Sequence, residues 1–371
     1  MKGLFITTED VNNRNSGICK KIATQISVLN FGNNECIWVK PNEANVNSLI
    51  DKIKNRLLFC SFRIEWDKVQ IGDVDYLYIR RPFIVDCSFI SFLSRAKKLN
   101  PKLKIIFEIP TYPYDAEYMV LDLKDRPFLW KDRFYRRRMK KFVDRISTFT
   151  NDEEIFGIKT LQITNGINTD EVLKRKIRID DSSIHLIGVA GMNWWHGYDR
   201  LIKGMKNYYH SSDKKIKVIF HLVGEGSESN LYRKLVSDND LNSYVIFHGF
   251  NSGEELDAIY NLCDIGVGCL GAHRKGISVS SDLKSREYTS KGLPIITDCS
   301  IDVFPESDFD FIFKIPEDES DIDVCDLVNR YEMLVKKYGN TENLSNYIRE
   351  IAIKKCDMKS TMKPILHYLS Q

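Results

Sequence analysis

"DLKSREYTSKGLPII", residues 282–296, sets the reading of the chain. A polar run leads into a short helical pattern, Gly292 ends it, Pro294 follows, and an apolar strand begins at once. A helix that passes straight into an apolar strand is a unit of alternating α/β structure. The helix opens with two cations, Lys284 and Arg286, and holds one acid, Glu287, about one turn in. The reason for one acid in that place lies in the rest of the chain.

Strand-like and helix-like segments alternate from the first residues. "GLFITT" (3–8) reads as a buried strand; the loop "EDVNNRNSG" follows, and then Ile18, Ile22, Ile26 and Leu29 recur at helical spacing. "CIWV" (36–39), "YLYI" (76–79) and "KIIFEI" (104–109) read as further strands, with a helical pattern over 88–99 between the last two. Residues 115–146 read as polar helix, "STFT" (147–150) and "LQIT" (161–164) close the first half, and "NGIN" (165–168) makes a turn. A second series runs through "HLIGVAG" (185–191), "IKVIFHLVG" (216–224), "YVIFHGF" (244–250), "DIGVGCL" (264–270) and "LPIIT" (293–297). Within it, "SGEELDAIY" opens with Ser252 and Glu255 in capping-box spacing. The pattern predicts an α/β chain of two Rossmann-like domains whose parallel sheets face each other across a cleft. The expected domains are 1–168 and 169–355, with a terminal helix over 356–371 packed back on the first. Ligands then lie at the carboxyl ends of strands, on the loops near 8, 109, 191, 224, 250 and 270.

The bulk numbers agree. A chain of 371 residues suits two cores better than one. A net charge of only +3 argues against a nucleic-acid partner. Nine scattered cysteines without a CxxC pair read as free thiols, not as a disulfide framework or a zinc site. The start "MKGLFITTED" meets charge too early for a signal peptide, and no apolar run approaches the ~20 residues of a membrane span. The expected location is cytoplasmic, including the inner face of the cytoplasmic membrane.

The loop after 270, "GAHRKGISVSSDLKSREY", is rich in Gly, Ser and cations and leads into a helix that Ser281 or Asp282 would cap. A helix start attracts phosphate, and Lys284 adds a point charge there. Glu287 would repel phosphate but accept hydrogen bonds from ribose hydroxyls; the plain alternative is that it favours the helix start electrostatically. Ser280, Ser281, Lys284 and Glu287 are the nucleotide-binding candidates of this segment.

"LKSREYTSKGLPII" resembles the nucleotide-sugar-binding signature of the group 1 (family 4) glycosyltransferases, two-domain enzymes of GT-B architecture. "VAGMNWWHGYDRLIKGM", "LVGEGSE", "VIFHGF" and "NSGEELDAIYNLCDIGV" resemble the preceding elements of their donor domain in order, and "NGIN" their interdomain turn. "YLYIRRP" and "EIPTYPYD" resemble the subgroup that builds capsules and other surface polysaccharides. The resemblance implies donor contacts at Gly191, Gly224, Gly249 and Phe250, and an acceptor-domain loop ending at Gly17. Two departures stand out. The first of the family's two signature glutamates falls at Val279, which hands its part to the loop backbone or Asp282. The family's cations after the first donor-domain strand are absent, which leaves His196 in the lysine's place and Arg200 as a weaker candidate.

By the resemblance, the chain moves a sugar from a nucleotide-diphosphate donor, UDP favoured and GDP possible, to a glycan or polyprenyl-diphosphate-linked acceptor, with retention. It implies no prosthetic group and no metal, although DxD triplets occur at Asp73/Asp75, Asp308/Asp310 and Asp321/Asp323. A non-catalytic partner subunit of a transferase pair and a nucleotide-sugar 2-epimerase are the alternatives. At the acceptor end, Glu108 and Asp115 are the acids placed to steer a hydroxyl, and Tyr112 and Tyr114 offer faces for stacking on sugars, unless the segment is a rigid corner under the next helix. Residues 131–145, "KDRFYRRRMKKFVDR", carry eight cations and two acids with interleaved apolar residues, a pattern suited to an anionic membrane surface or to a solvated helix face.

Overall fold

The computed structural model describes residues 1–10, 12, 17–45, 48–115, 126–178, 182–211 and 216–371. The chain forms two compact units, Met1–Thr164 with Thr361–Gln371, and Asn165–Ser360.

The first unit holds β1 (Lys2–Ile6), α1 (Gly17–Leu29), β2 (Glu35–Val39), α2 (Leu49–Arg56), β3 (Tyr76–Arg80), α3 (Cys87–Leu99), β4 (Lys104–Ile109), α4 (Arg126–Arg136), β5 (Arg145–Thr148), β6 (Glu154–Ile155) and β7 (Ile158–Gln162). Its sheet order is β2-β1-β3-β4-β5-β7-β6, parallel except for the terminal β6–β7 pair. Strand β4, "KIIFEI", is buried at five of six positions, as a central strand covered on both faces must be. The buried side of α1 runs through Cys19, Ile22, Gln25 and Leu29, whereas Ile18 is exposed, so the stripe is rotated from the expected one and includes a polar residue.

The helix expected over 115–146 is shorter. Residues 116–125 lie outside the described residues, α4 stops at Arg136, a 3₁₀ turn covers Met139–Lys141, and β5 has begun by Arg145. Asp144 explains the change: its carboxylate accepts the Ile105 N–H at 2.7 Å and pairs with Lys97 at 2.8 Å, which turns the chain onto β4. The β6–β7 hairpin, unforeseen in the sequence, turns at Phe156 and Gly157, both at positive φ (54° and 78°), as a type I′ turn demands.

The second unit holds β8 (Ser183–Val189), α5 (Tyr198–His210), β9 (Lys217–Val223), α6 (Ser229–Asp238), β10 (Val245–Gly249), α7 (Gly253–Tyr260), β11 (Ile265–Val267), β12 (Val279–Ser280), α8 (Leu283–Lys291), β13 (Ile295–Thr297), β14 (Ser300–Ile301), β15 (Ile312–Lys314), α9 (Val324–Tyr338) and α10 (Thr341–Cys356). Its main sheet is parallel in the order β10-β9-β8-β11-β13-β15. The chain order reverses between β8 and β11, and in such sheets the crevice beyond the carboxyl ends of those two strands receives ligand. Ser252 is the residue before α7, but its side chain makes no capping bond, so the expected capping box is not formed. The cap of α8 is Asp282, whose carboxylate accepts the Ser285 N–H at 2.7 Å.

Helix α8 is fixed to this switch point by Tyr288, which is fully buried. Its Oη accepts the Val189 N–H at 2.9 Å and donates to the Val267 carbonyl at 3.3 Å. The ring lies over Gly266, where a Cβ would come within 2.6 Å of it. Gly266→Ala therefore displaces α8 or the strand, and overpacking of this kind costs about 1–3 kcal/mol. We expect a lower urea midpoint with an unchanged m value; a wild-type midpoint would show that the ring has room to move.

Candidate functional site

The carboxyl end of β8 leads into Ala190, Gly191 and a 3₁₀ turn, Trp194–His196. The Asn193 N–H donates to His196 Nδ1 at 2.9 Å, so the neutral ring carries its proton on Nε2. His196 is 8% exposed, and burial, with the nearby Lys284 ammonium second, pulls its pKa down to about 3. The expectation that it replaces a lysine as a cation is therefore corrected: at neutral pH it is an N–H donor. Its carbonyl accepts the Leu270 N–H at 2.9 Å, which joins the loop after β8 to the loop after β11. Gly197 makes that approach possible, with φ +66° and the position of a missing Cβ only 2.5 Å from the Leu270 carbonyl carbon.

Arg200, the weaker candidate, is also corrected. It is fully buried and spends its guanidinium on the carbonyls of Ser320, Leu270 and Pro316. The cations of the 271–276 loop are similarly engaged. Arg274 pairs with Asp199 and Glu319, His273 bridges Asp298 and Glu319 at 2.8 Å each, and Lys275 stands over the Trp195 ring. These bonds tie the loop after β11 to α5 and to residues 316–320.

Lys284 differs from these. Its Nζ is buried and has no hydrogen-bond partner among the described residues. Burial holds its pKa below the usual lysine range, with the Asp282 carboxylate working against that shift. Asp282 itself is occupied: Oδ1 caps α8, and Oδ2 accepts Ser280 Oγ at 2.9 Å. The cap therefore already holds a carboxylate, which offsets the positive end of the helix dipole. Ser281 is a strut, its carbonyl accepting Asn165 Nδ2 at 2.7 Å and its Oγ accepting from Arg286 at 3.2 Å. Arg286 is fully buried and paired with Asp302. Glu287 lies partly buried on α8, with its carboxylate beside the Tyr260 phenol, whose pKa burial and then Glu287 push up. Val279, in place of the first signature acid, is 59% exposed in β12.

The glycines of the neighbouring loops allow close backbone packing. Gly224 has φ +108°, and a Cβ there would meet the Ala190 carbonyl oxygen at 2.1 Å. Gly249 has φ +67° and faces open space, and Phe250 beside it is 81% exposed.

A feature absent from the sequence reading crosses β8, β9 and β10. Ser183 Oγ, His185, His221 and His248 form a chain of hydrogen bonds, 3.1 Å from Oγ to the first ring and 2.9 Å between successive rings. The three histidines occupy adjacent strand positions that only the sheet order brings together. Burial, and then the neighbouring rings, pulls the His221 pKa down to about 3.

In the first unit, Glu108 is fully buried. It accepts Tyr78 Oη at 2.6 Å and Gln25 Nε2 at 2.9 Å and pairs with Arg80. Burial works to raise its pKa, but Arg80, Lys21 and these hydrogen bonds prevail and hold it below the usual range. Such an acid positions Arg80; it does not meet an acceptor, and the expectation is corrected accordingly. Asp115 pairs with Arg136 and Arg133, and those bonds hold its pKa low. Tyr114 is 1% exposed and donates to Asp132 at 2.9 Å, so it is a corner residue and not a sugar platform. Gly17 opens α1, while residues 13–16 of its loop lie outside the described residues.

Sequence reasoning missed a cavity of about 540 Å³ beyond the carboxyl ends of β1 and β3, lined by Thr8, Lys52, Arg56, Arg63, Phe62 and Phe83 among others. Its position is the switch point of this sheet order. Its lining comes from six separated stretches of the chain, with no motif to announce it. Of the DxD acids, Asp75 accepts the Lys2 N–H, Asp310 pairs with Lys337 and Asp323 caps α9. Among the described residues no group of His, Cys, Asp and Glu is arranged to hold a metal ion.

With this geometry in place, residues 169–280 match the family model described as glycosyl transferases group 1. Those residues of the second unit are thus similar to a group 1 glycosyltransferase domain. The whole chain has the two-domain, parallel-sheet α/β fold of the GT-B glycosyltransferases. A glycosyltransferase from Rickettsia africae superposes with a TM-score of 0.60 at 12% identity, covering 100% of this chain and 97% of that one. The sucrose-phosphate synthase of Thermosynechococcus elongatus gives 0.60 at 12% over 100% and 99%. The lipopolysaccharide outer core galactosyltransferase WaaB gives 0.55 at 12% over 99% and 100%. No curated protein matches the sequence.

The histidines predict an acid limit to stability. An unfolded histidine titrates near ~6.5, whereas His196 and His221 do so at about 3 when folded. Below pH ~6.5 the unfolded chain takes up protons that the folded chain refuses. Stability is then full above that range and falls by about 1.4 kcal/mol per pH unit for each group as pH drops toward the folded values. Urea melts between pH 7.5 and pH 5 should show this decline, and His221→Gln should reduce its slope by one proton. A flat profile would mean that the rings are hydrated.

Proposed function

We propose that this protein transfers a sugar, with retention, from a nucleotide-diphosphate donor to a glycan or lipid-linked glycan acceptor, in the synthesis of a surface polysaccharide. UDP-sugars are the favoured donors and GDP-sugars the second choice. The observation that carries this reading is Lys284, a buried ammonium with no hydrogen-bond partner among the described residues, at the ligand-receiving end of the second sheet. An anion is what such a group lacks, and the neutral His196 Nε2–H beside it is a second donor for the same oxygens.

In this reading the diphosphate lies against Lys284, His196 and the loop at Gly191 and Gly224. The ribose hydroxyls donate to Glu287, and the base lies toward Gly249 and Phe250. As the bond from the anomeric carbon to the diphosphate breaks, the negative charge that develops on the departing oxygen is met by Lys284 and the His196 N–H. Preorganised donors of this kind are worth about 10²–10³ in rate each. The acceptor hydroxyl forms the new bond on the same face, and its proton leaves with the phosphate. The cavity of the first unit is where we place the acceptor, with Arg80 and Arg136 held by Glu108 and Asp115 as positioning groups.

Thermal stabilisation by UDP-, GDP- and ADP-sugars tests the donor half. A ligand at a hundredfold its Kd adds about 2.7 kcal/mol. One nucleotide class should raise the Tm of the wild type, and Glu287→Ala should lose most of that rise. A panel without effect on the wild type contradicts the proposal.

A further inference from the structure

Helix α2 is built with its apolar side outward. Leu49, Ile50 and Ile53, with Leu57 just past its end, share one side by helical periodicity and are 74%, 64%, 53% and 52% exposed. The opposite side carries Asn55, which is buried, and its carbonyl accepts the fully buried Lys131 Nζ of α4 at 2.9 Å. Arg56 stands over the Phe128 ring of α4. The helix is therefore held in this orientation by polar and cation–π contacts, and its apolar stripe is left to solvent.

The stripe continues onto α4. Phe59 and Phe134 meet edge to face at 6.3 Å, and Trp130, one helical turn before Phe134, is 70% exposed. Cations border the patch on both elements: Lys52 and Lys54 are exposed on α2, and Arg137 and Arg138 at the end of α4, with Arg138 over the Phe134 ring at 3.7 Å. The acid of α2, Asp51, accepts from its own N-cap, Ser48, at 2.6 Å. The expectation for 131–145 is thereby narrowed: Tyr135, Met139 and Val143 are buried in the core, and of the apolar residues of that segment Phe134 is exposed.

We propose that the exposed faces of α2 and α4 form a docking surface for an anionic lipid bilayer. Exposed aliphatic side chains with Trp and Phe suit the boundary between headgroup and acyl chain, and cations at their margin suit anionic headgroups. Among the described residues no helix is long and apolar enough to cross a membrane, so the contact lies in the plane of the surface. Lys52 and Arg56 also line the cavity of the first unit, which places its rim beside the bilayer. The surface is inferred from the first unit alone and stands whether or not the donor assignment does.

The test is co-sedimentation of the full chain with vesicles of phosphatidylcholine, with and without phosphatidylglycerol. Binding is expected only with phosphatidylglycerol and should weaken with added salt. It should fall about tenfold or more in Ile50→Asp/Ile53→Asp and in Lys52→Glu/Lys54→Glu. These positions are exposed, so circular dichroism and Tm should stay at wild-type values. Absence of binding to the anionic vesicles, or binding by both variants at wild-type strength, overturns the proposal. So does self-association without vesicle binding that Ile50→Asp/Ile53→Asp abolishes, since the occupant would then be a second copy of the chain.

Discussion

An ammonium group sealed from water without a partner is costly, on the order of several kcal/mol even after relaxation. In the second unit Lys284 Nζ is buried with no hydrogen-bond partner among the described residues. Lys284 stands on a nine-residue helix that Tyr288 pins to β8 and β11, so its Nζ cannot escape by moving the helix. The carboxylate acting on it, Asp282, is bound elsewhere: Oδ1 caps the helix and Oδ2 accepts Ser280 Oγ. The cost is retained in the free protein, and in the proposed reading an arriving anion removes it.

The surrounding charges make this work by being satisfied. Arg200 binds three carbonyls, and Arg274 binds two acids. These bonds fix the loop after β11 against the loop after β8, where Gly197 permits backbone contact. Arg200 and Arg274 are thus structural, whereas Lys284 Nζ has no hydrogen-bond partner among the described residues. Neutral His196 adds a directional donor without adding a second buried charge.

Much of the architecture was legible in the sequence. Central strands such as "KIIFEI" are continuous apolar runs, and glycines mark the tight loops at strand ends, so the alternation of elements and the second-sheet loops could be read directly. The failures share one cause, which is that burial is decided by residues far apart in sequence. Arg200 and Glu108 have the residue types of a binding site, but partners 28 to 120 positions away absorb them. The outward apolar stripe of α2 has the same periodicity as a core helix, and only Lys131 on Asn55 shows which side faces in. The histidine chain across β8, β9 and β10 depends on strand order, which periodicity alone does not provide.

The central claim is that Lys284 is kept unpaired for a diphosphate. Calorimetric titration of wild type and Lys284→Met with UDP, GDP and the corresponding nucleosides, alongside urea melts of the free proteins, tests it most directly. The account predicts that the variant is more stable than wild type without ligand. It also predicts diphosphate binding at least about tenfold weaker, the order expected for one charge-assisted contact, with nucleoside binding unchanged. A variant that is less stable than wild type and binds the preferred diphosphate equally well would contradict it, because Lys284 would then be a structural residue whose partner is the protein itself.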